Sequence, residues 1–162
     1  MRILFVCTGN TCRSPMAEAI ARQVAEERGL TDVVVSSAGT GAYEGSTASD
    51  GALLVGIEHG TDLAGHRSRP LTRELVANAD TILVMSPQHL LRAQELGGES
   101  KAYLLTDFAS HGGSVRTVTD PFGGDLEAYR TTYEELEQEI RRVFDRLVPQ
   151  SAPPAGGDPS AA

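Results

Sequence analysis

The decisive stretch of this sequence is Val6-Cys7-Thr8-Gly9-Asn10-Thr11-Cys12-Arg13-Ser14-Pro15. It follows the apolar segment 2–6, which is typical of a buried strand. It ends in Ser14-Pro15, a helix-capping residue followed by the proline that suits a first helical turn. The stretch is therefore predicted to turn from a first strand into a helix. Such a turn directs free backbone N–H groups and the positive end of the helix dipole at its bend, which favours an anion there.

Two side chains in this turn indicate its chemistry. Cys7 stands where backbone N–H groups and a nearby guanidinium both favour the thiolate. Five residues separate Cys7 from Arg13, which lets the loop curl so that the guanidinium can hold two phosphate oxygens. Gly9 and Asn10 tolerate the backbone conformations that such a curl requires. The alternative interpretation is a buried structural cysteine and a surface arginine.

The rest of the chain alternates apolar strand-like segments with helical periodicity, which predicts an open parallel α/β sheet of four strands with helices on both faces. The predicted strands cover 2–6, 32–38, 81–85 and 102–105. The predicted helices cover 14–28, 47–59, 72–78, 86–96 and 126–147, and a Gly/Ser-rich loop is predicted after residue 105. The buried side of the second helix is expected at Ala48, Ala52, Leu53 and Ile57. The apolar spacing of the last helix would also suit a coiled-coil seam. Strand order stays open, but ligands of such sheets bind beyond the carboxyl ends of the strands.

Length and composition indicate one domain, at residues 1–148, followed at 149–162 by a Pro/Gly/Ala-rich tail that is predicted to be disordered. A net charge of −8 over 162 residues argues against a nucleic-acid or anionic-membrane binder. Two cysteines without a disulfide framework suggest a reducing cytoplasm. The N-terminus has no signal-peptide pattern, and no apolar run is long enough to span a membrane. The four histidines lack metal-ligand spacing, so no metal or cofactor is predicted, and a monomer is expected.

Two motifs resemble those of the low-molecular-weight protein phosphotyrosine phosphatase family: residues 7–15, and Asp120-Pro121-Phe122-Gly123-Gly124 far along the chain. The resemblance covers residues 1–148 and implies that family's flavodoxin-like fold. It also implies that Cys7 attacks phosphorus to form a thiophosphate intermediate, with Asp120 as general acid and then base. Arg13 and the N–H groups of 8–13 would stabilise the transition state. Without the resemblance, Asp120 could be a turn-starting residue before proline.

The resemblance further implies which residues support the loop and contact the substrate. Ser14 would hydrogen-bond the Cys7 sulfur, and Asn10, Ser14, Ser37 and His66 would form a network that holds the loop. By itself, His66 could equally be a surface or packing residue. The residues expected to bind substrate or phosphate are Thr8, Gly9, Asn10, Thr11, Cys12, Arg13, Ser14 and Phe122. Two interpretations of Cys12 stay open: a reversible disulfide partner of Cys7, or a small buried side chain.

Two features favour a particular substrate. Thr11 replaces the branched aliphatic residue usual in the tyrosine phosphatases, and Phe122 is followed by glycines instead of further aromatic residues. Both features look like the bacterial protein arginine phosphatase branch. The predicted function is therefore a cysteine-dependent phosphatase that acts on phosphoarginine in a phosphorylated protein.

Several alternatives accompany this prediction. The first is a phosphotyrosine phosphatase, the alternative within the same family. An arsenate reductase would need relay cysteines beyond Cys7 and Cys12. From another class, a phosphocysteine carrier or a phosphate-binding module without turnover is disfavoured by Arg13 and Asp120, because these residues speed hydrolysis.

Overall fold

A computed structural model describes residues 1–148, which form a four-stranded parallel sheet with helices on both faces. The strands run in the spatial order β2-β1-β3-β4. Their bounds are Arg2–Cys7 (β1), Val34–Gly39 (β2), Thr81–Val84 (β3) and Ala102–Leu104 (β4). The predicted fold class is confirmed. The predicted disordered tail, residues 149–162, lies outside the described residues, so the proposed domain boundary stays a prediction.

Within residues 1–148, six α-helices connect and cover the strands. Their bounds are Arg13–Glu27 (α1), Asp50–Glu58 (α2), Arg73–Asn78 (α3), Pro87–Ala93 (α4), Leu105–Ala109 (α5) and Leu126–Leu147 (α6). A π-helical turn, Gln94–Gly98, follows α4. Every helix within residues 1–148 is too short or too polar to span a lipid bilayer.

Strand β1 divides the apolar core into two layers, because its side chains alternate between the two faces of the sheet. Ile3, Phe5 and Cys7 point to one face, where α1, α2, α5 and α6 supply the packing partners. Leu4 and Val6 point to the other face, towards α3 and α4. Both faces are covered, which explains why β1 is apolar at almost every position instead of alternating with polar residues.

Helix α6 confirms the strongest periodic signal in the sequence. Its buried apolar stripe consists of Tyr129, Tyr133, Leu136, Ile140, Val143 and Phe144. The stripe packs against α1, α2 and α5 of the same chain. The apolar spacing is therefore used inside the domain, and the coiled-coil alternative is not needed to explain it.

Three local predictions were wrong. Helix α2 begins at Asp50, and its buried face consists of Ala52, Val55 and Gly56, so Ile57 lies outside it and is 72% exposed. The helix predicted over 86–96 is α-helical only to Ala93, and its last turn, from Gln94, is π-helical; Gly97, with a φ of 105°, interrupts it as expected. The expected loop after residue 105 starts with α5, whose five residues are too few for helical periodicity to be visible in the sequence.

The topology places one loop at the centre of the sheet edge. The chain passes from β1 to β2 on one side and then returns to β3 on the other side of β1. This reversal leaves a crevice at the carboxyl end of β1, where open α/β sheets bind ligands. Cys7 is the last residue of β1, and the loop 7–13 fills that position.

The end of β2 approaches this loop so closely that a side chain would not fit. A Cβ at Gly39 would lie 2.4 Å from the Thr8 carbonyl oxygen and 2.9 Å from the Asn10 nitrogen, whereas one at Gly41 would lie 3.6 Å from the Thr8 Cγ2. We expect Gly39→Ala to lower the free energy of unfolding by about 1–3 kcal/mol, as overpacking commonly does. Gly41→Ala, the matched control, should change it by less than about 0.5 kcal/mol. Urea denaturation measures both, and equal effects would contradict the predicted collision.

Candidate active site

The loop after β1 is held by hydrogen bonds to its carbonyl groups. Four of these carbonyls accept from donors on three surrounding segments. The pairs are Thr40 N to Cys7 O and Gly41 N to Thr8 O, both 2.9 Å, His66 Nε2 to Asn10 O, 2.7 Å, and Ser49 N to Thr11 O, 2.9 Å. Each of these carbonyls therefore points away from the bend of the loop.

This arrangement fixes the direction of the loop's N–H groups. In a planar trans peptide, the C=O of one residue and the N–H of the next point in opposite directions, and residues 1–148 contain no cis peptide bond. Outward carbonyls on Cys7, Thr8, Asn10 and Thr11 consequently turn the following N–H groups, those of Thr8, Gly9, Thr11 and Cys12, towards the inside of the bend. A concave ring of N–H groups of this kind binds anions.

The Cys7 sulfur lies at the base of this ring and receives two hydrogen-bonding groups. The Ser14 Oγ is 3.0 Å from Cys7 Sγ. The Asn10 N–H donates to the same sulfur over 3.3 Å. Both contacts suit a thiolate, because a negatively charged sulfur accepts hydrogen bonds more strongly than a thiol does.

Asn10 is the hub of the loop. Its backbone adopts the left-handed conformation, with φ 57°, which asparagine tolerates better than most residues. The Asn10 Nδ2 donates to Ser14 Oγ at 2.8 Å and to Ser37 Oγ at 3.0 Å. With the His66 bond to its carbonyl, Asn10 contacts each of the three residues that the family resemblance associates with it.

The network continues to residues that the sequence did not identify. The Asn10 Oδ1 accepts from the Arg69 N–H at 3.0 Å, and the Arg69 Nε donates to the Ser37 carbonyl at 3.0 Å. Ser37 Oγ in turn donates to Glu18 Oε1 at 2.6 Å. No motif marks Arg69 or Glu18, because their importance comes only from the way the segment before α3 and the middle of α1 meet at the loop.

Arg13 joins the loop to a distant segment of the chain. Its guanidinium is buried, and Nη1 donates to the Val118 carbonyl at 3.1 Å. Its Nη2 lies 3.5 Å from Asp120 Oδ2, and the Asp120 side chain is 51% exposed. The two predicted motifs, far apart in sequence, therefore meet in one ion pair at the opening of the site.

The Cys12 sulfur belongs to a small polar cluster. It donates to Ser49 Oγ and contacts Tyr129 Oη, both at 3.3 Å. Burial, with a further contribution from the Cys12 hydrogen bond, raises the pKa of Tyr129 to about 12, so its hydroxyl stays neutral. Both cysteines are free thiols. The reversible disulfide between Cys7 and Cys12 stays a prediction.

A cleft of about 220 Å³ opens over the loop. Its lining includes eight of the residues expected from the sequence: Cys7, Thr8, Gly9, Thr11, Cys12, Arg13, Asp120 and Phe122. Phe122 is 76% exposed, so one wall of the cleft is a free aromatic face. The remaining predicted residues, Asn10, Ser14, Ser37 and His66, do not line this cleft. Asn10 and Ser14, which were also expected to bind substrate or phosphate, are fully buried and support the loop through their hydrogen bonds.

His89 is a residue at this site that the sequence did not reveal. It is completely buried, its Nε2 is 2.8 Å from Thr8 Oγ1, and its Nδ1 is 2.9 Å from Ser86 Oγ. The available signal was its position in the first turn of α4, directly after β3. Since the carboxyl ends of neighbouring parallel strands meet at one edge, β3 brings His89 beside the loop that follows β1.

The fold and the loop together define a class of protein. A thiol and a buried guanidinium share one ring of inward N–H groups at the switch point of a parallel α/β sheet. An arrangement of this kind favours a tetrahedral anion beside the sulfur atom. Residues 2–152 match the family described as low molecular weight phosphotyrosine protein phosphatase.

Similar proteins support the same assignment. The chain is 42% identical to the protein-arginine-phosphatase of Bacillus subtilis (strain 168), over 91% of this chain and 97% of that protein. It is 34% identical to the low molecular weight protein-tyrosine-phosphatase Wzb of Escherichia coli (strain K12), over 90% and 94%. The solved C7S mutant of YwlE arginine phosphatase, with a phosphorylated active-site serine, aligns with a TM-score of 0.87 at 41% identity, covering 93% of this chain and 97% of that one. The chain belongs to the low molecular weight phosphotyrosine protein phosphatase family.

The buried histidine gives the fold a measurable sensitivity to acid. Burial, and secondarily the positive charge of Arg13, lower the pKa of His89 from 6.5 to about 4, although Asp120 acts in the opposite direction. Between these values the unfolded chain binds more protons than the folded one, so the free energy of unfolding falls as the pH falls. From about pH 7 to about pH 5, His89 should account for a loss of about 2 kcal/mol.

We therefore expect His89→Asn to flatten the pH dependence of stability. Urea denaturation at both pH values measures the slope, which is compared between variants, since the substitution also changes packing. His111→Asn is the matched control, because His111 is exposed and has a φ of 55° that asparagine accepts. An unchanged slope in His89→Asn would show that His89 does not cause the loss of stability at low pH.

Proposed function

We propose that this protein hydrolyses phosphoarginine in phosphorylated proteins through a thiophosphate intermediate on Cys7. The observation that carries the proposal is the composition of the cleft: Thr11, Asp120 and Phe122 line the same space as Cys7 and Arg13. The relatives named protein-arginine-phosphatase, which match almost their whole length to this chain, support the same substrate.

In the first step, the Cys7 thiolate attacks phosphorus in line with the leaving nitrogen. The S–P bond forms as the P–N bond breaks, and Asp120 gives its proton to the departing guanidine. The hydrogen bonds from Ser14 and from the Asn10 N–H stabilise the thiolate before the attack. Asp120 is accessible from solvent, as a proton donor at the opening of the cleft must be.

In the second step, water attacks the phosphorus of the thiophosphate. Asp120, now ionised, takes a proton from that water, and the S–P bond breaks to release phosphate and return the Cys7 thiolate. The same hydrogen bond from Ser14 makes the sulfur a better leaving group. Arg13 and the inward N–H groups stabilise the charge on the three equatorial oxygens in both steps.

The walls of the cleft favour a guanidinium over a phenol. A phosphoguanidinium is planar and cationic, so one of its N–H groups can donate to the Asp120 carboxyl oxygen that carries no proton, and its plane can stack on the free face of Phe122. The Thr11 hydroxyl adds a polar group to the wall, where a branched aliphatic side chain would offer only apolar surface. A phosphotyrosine substrate stays the second candidate, because the exposed Phe122 ring can also stack a phenol and the matched family includes tyrosine phosphatases.

The chemistry also suggests where the enzyme works. A catalytic thiolate next to a second thiol needs a reducing environment to stay active, and both cysteines are free here. We therefore propose a cytoplasmic enzyme whose partner is its phosphorylated protein substrate, and which acts as a monomer.

Turnover of matched peptides tests the proposal. Two peptides of the same sequence, one with phosphoarginine and one with phosphotyrosine, should differ in kcat/KM by at least about tenfold in favour of phosphoarginine, which corresponds to about 1.4 kcal/mol. Cys7→Ser should abolish turnover of both peptides but still bind inorganic phosphate, because the N–H groups and Arg13 remain. A preference for phosphotyrosine would favour the second candidate. Phosphate binding without turnover by the unmodified protein would indicate a carrier or binding module.

Substitution at Thr11 tests the basis of the preference. Thr11→Ile should lower kcat/KM for phosphoarginine relative to phosphotyrosine, since removing one polar contact in a buried site costs about 1–3 kcal/mol. All residues compared are β-branched, so the backbone should not change. Thr11→Val removes the hydroxyl without adding a methylene and separates the two effects. An unchanged ratio in both variants would mean that Thr11 does not select the substrate.

A further inference from the structure

We propose that Thr132 and Glu135 of α6 are positioning residues, which aim Asp120 at the leaving group. This inference rests on the proposed role of Asp120 as general acid. It concerns a polar face of α6 that neither the core nor the cleft requires. Thr132 and Glu135 are three residues apart, so their side chains lie next to each other on one side of the helix.

Both side chains bind the residue immediately before Asp120. Thr132 Oγ1 donates to the Thr119 carbonyl at 3.2 Å. The Thr119 N–H donates to Glu135 Oε1 at 3.4 Å. The Thr119 carbonyl belongs to the peptide group that joins Thr119 to Asp120. Because that group is planar, holding its oxygen also sets the direction in which the chain enters Asp120.

Ion pairs strengthen this attachment. Arg116 bridges two carboxylates of α6: its Nη1 pairs with Glu135 Oε2, and its Nη2 lies 2.9 Å from Glu139 Oε2. Both glutamate side chains are largely buried, Glu139 with 6% of its area exposed. Leaving a buried carboxylate without a partner costs free energy. The two glutamates therefore stabilise the position of Arg116 against α6. Residues 116–119 are thereby fixed to the helix at both ends.

The opposite side of this segment faces the phosphate-binding loop. Val118 donates its N–H to the Met85 carbonyl at 3.0 Å, and its own carbonyl accepts from Arg13 Nη1 at 3.1 Å. Arg13 is the residue that must also hold the substrate's phosphate. Attachment through Arg13 alone would make the position of Asp120 depend on how Arg13 adjusts to the substrate. The contacts of Thr132 and Glu135 are independent of that adjustment.

The dependence of the rate on the leaving group tests this role. In Thr132→Val and Glu135→Ala, kcat/KM for phenyl phosphate should fall about 10- to 100-fold, because a shift of about 1 Å in a catalytic group can cost that much. The value of kcat/KM reports the first step alone, so for para-nitrophenyl phosphate, whose leaving group needs little protonation, it should fall less than about threefold. Inhibition by inorganic phosphate should stay within about twofold. Glu134→Gln, an exposed neighbour on α6, is the matched control and should leave all three values unchanged.

A double-mutant cycle with Asp120→Asn separates positioning from general structural damage. If Thr132 and Glu135 act through Asp120, adding either substitution to Asp120→Asn should cause no further loss with phenyl phosphate. Losses that are equal for both substrates, or that persist in the Asp120→Asn background, would overturn the proposal. Thermal unfolding identifies folded variants. Valine is nearly the same size as threonine, so Thr132→Val is expected to fold. This variant alone tests the positioning role of α6 if Glu135→Ala does not fold.

The same data distinguish failure of this inference from failure of the proposed function. Asp120→Asn alone should lower kcat/KM for phenyl phosphate much more than kcat/KM for para-nitrophenyl phosphate. Equal losses in that variant would remove Asp120 from the acid role and overturn the proposed mechanism. The expected pattern in Asp120→Asn, combined with unaffected rates in Thr132→Val and Glu135→Ala, would overturn only the positioning role of α6.

Discussion

The outward direction of the loop carbonyls is the constraint on which the site depends. The carbonyls of Cys7, Thr8, Asn10 and Thr11 are each bonded to a donor outside the loop. If those donors were lost, the carbonyl dipoles could turn inward and repel an anion instead of attracting it. The segment after β2, the start of α2 and the segment before α3 supply the donors. Much of the chain between β2 and β3 therefore serves to fix the conformation of a seven-residue loop (7–13).

The cleft contains few unpaired charges, because its ionised side chains form a pair and its buried histidine is neutral. Arg13 is a buried positive charge, and Asp120 balances it at the opening. His89 would add a second positive charge beside the loop, but burial and Arg13 keep it neutral over the working pH range of most enzymes. The neutral ring can still fix Thr8 through a hydrogen bond. The His89 ring thus adds a contact beside Cys7, the proposed nucleophile, without adding a positive charge to the cleft.

Sequence patterns predicted the parts of this protein that are determined locally. The turn at 6–15 and the long helix α6 carry their own strand, capping and periodic signals, and the structure contains both. The exposure of Ile57 and the existence of α5 were not predictable, because they depend on which neighbouring elements are available to cover a short segment. His89, Arg69 and Glu135 were missed for a related reason. Each is an ordinary polar residue in its own segment, and only the packing of distant segments gives it a partner at the site.

The hydrogen bond between Arg13 and Val118 spans 105 positions of the sequence, and this has a consequence for the protein during its synthesis. Translation delivers the thiol and the anion-binding turn first, while Asp120, the proposed acid, and the helix that supports it are the last parts of residues 1–148 to leave the ribosome. A nascent or C-terminally truncated chain that lacks α6 would contain Asp120 but not the helix side chains that bind the residue before it. The complete site can form only after nearly the whole described chain has been made and α6 has docked. Assembly of the proposed catalytic site is therefore one of the last events in the folding of this domain.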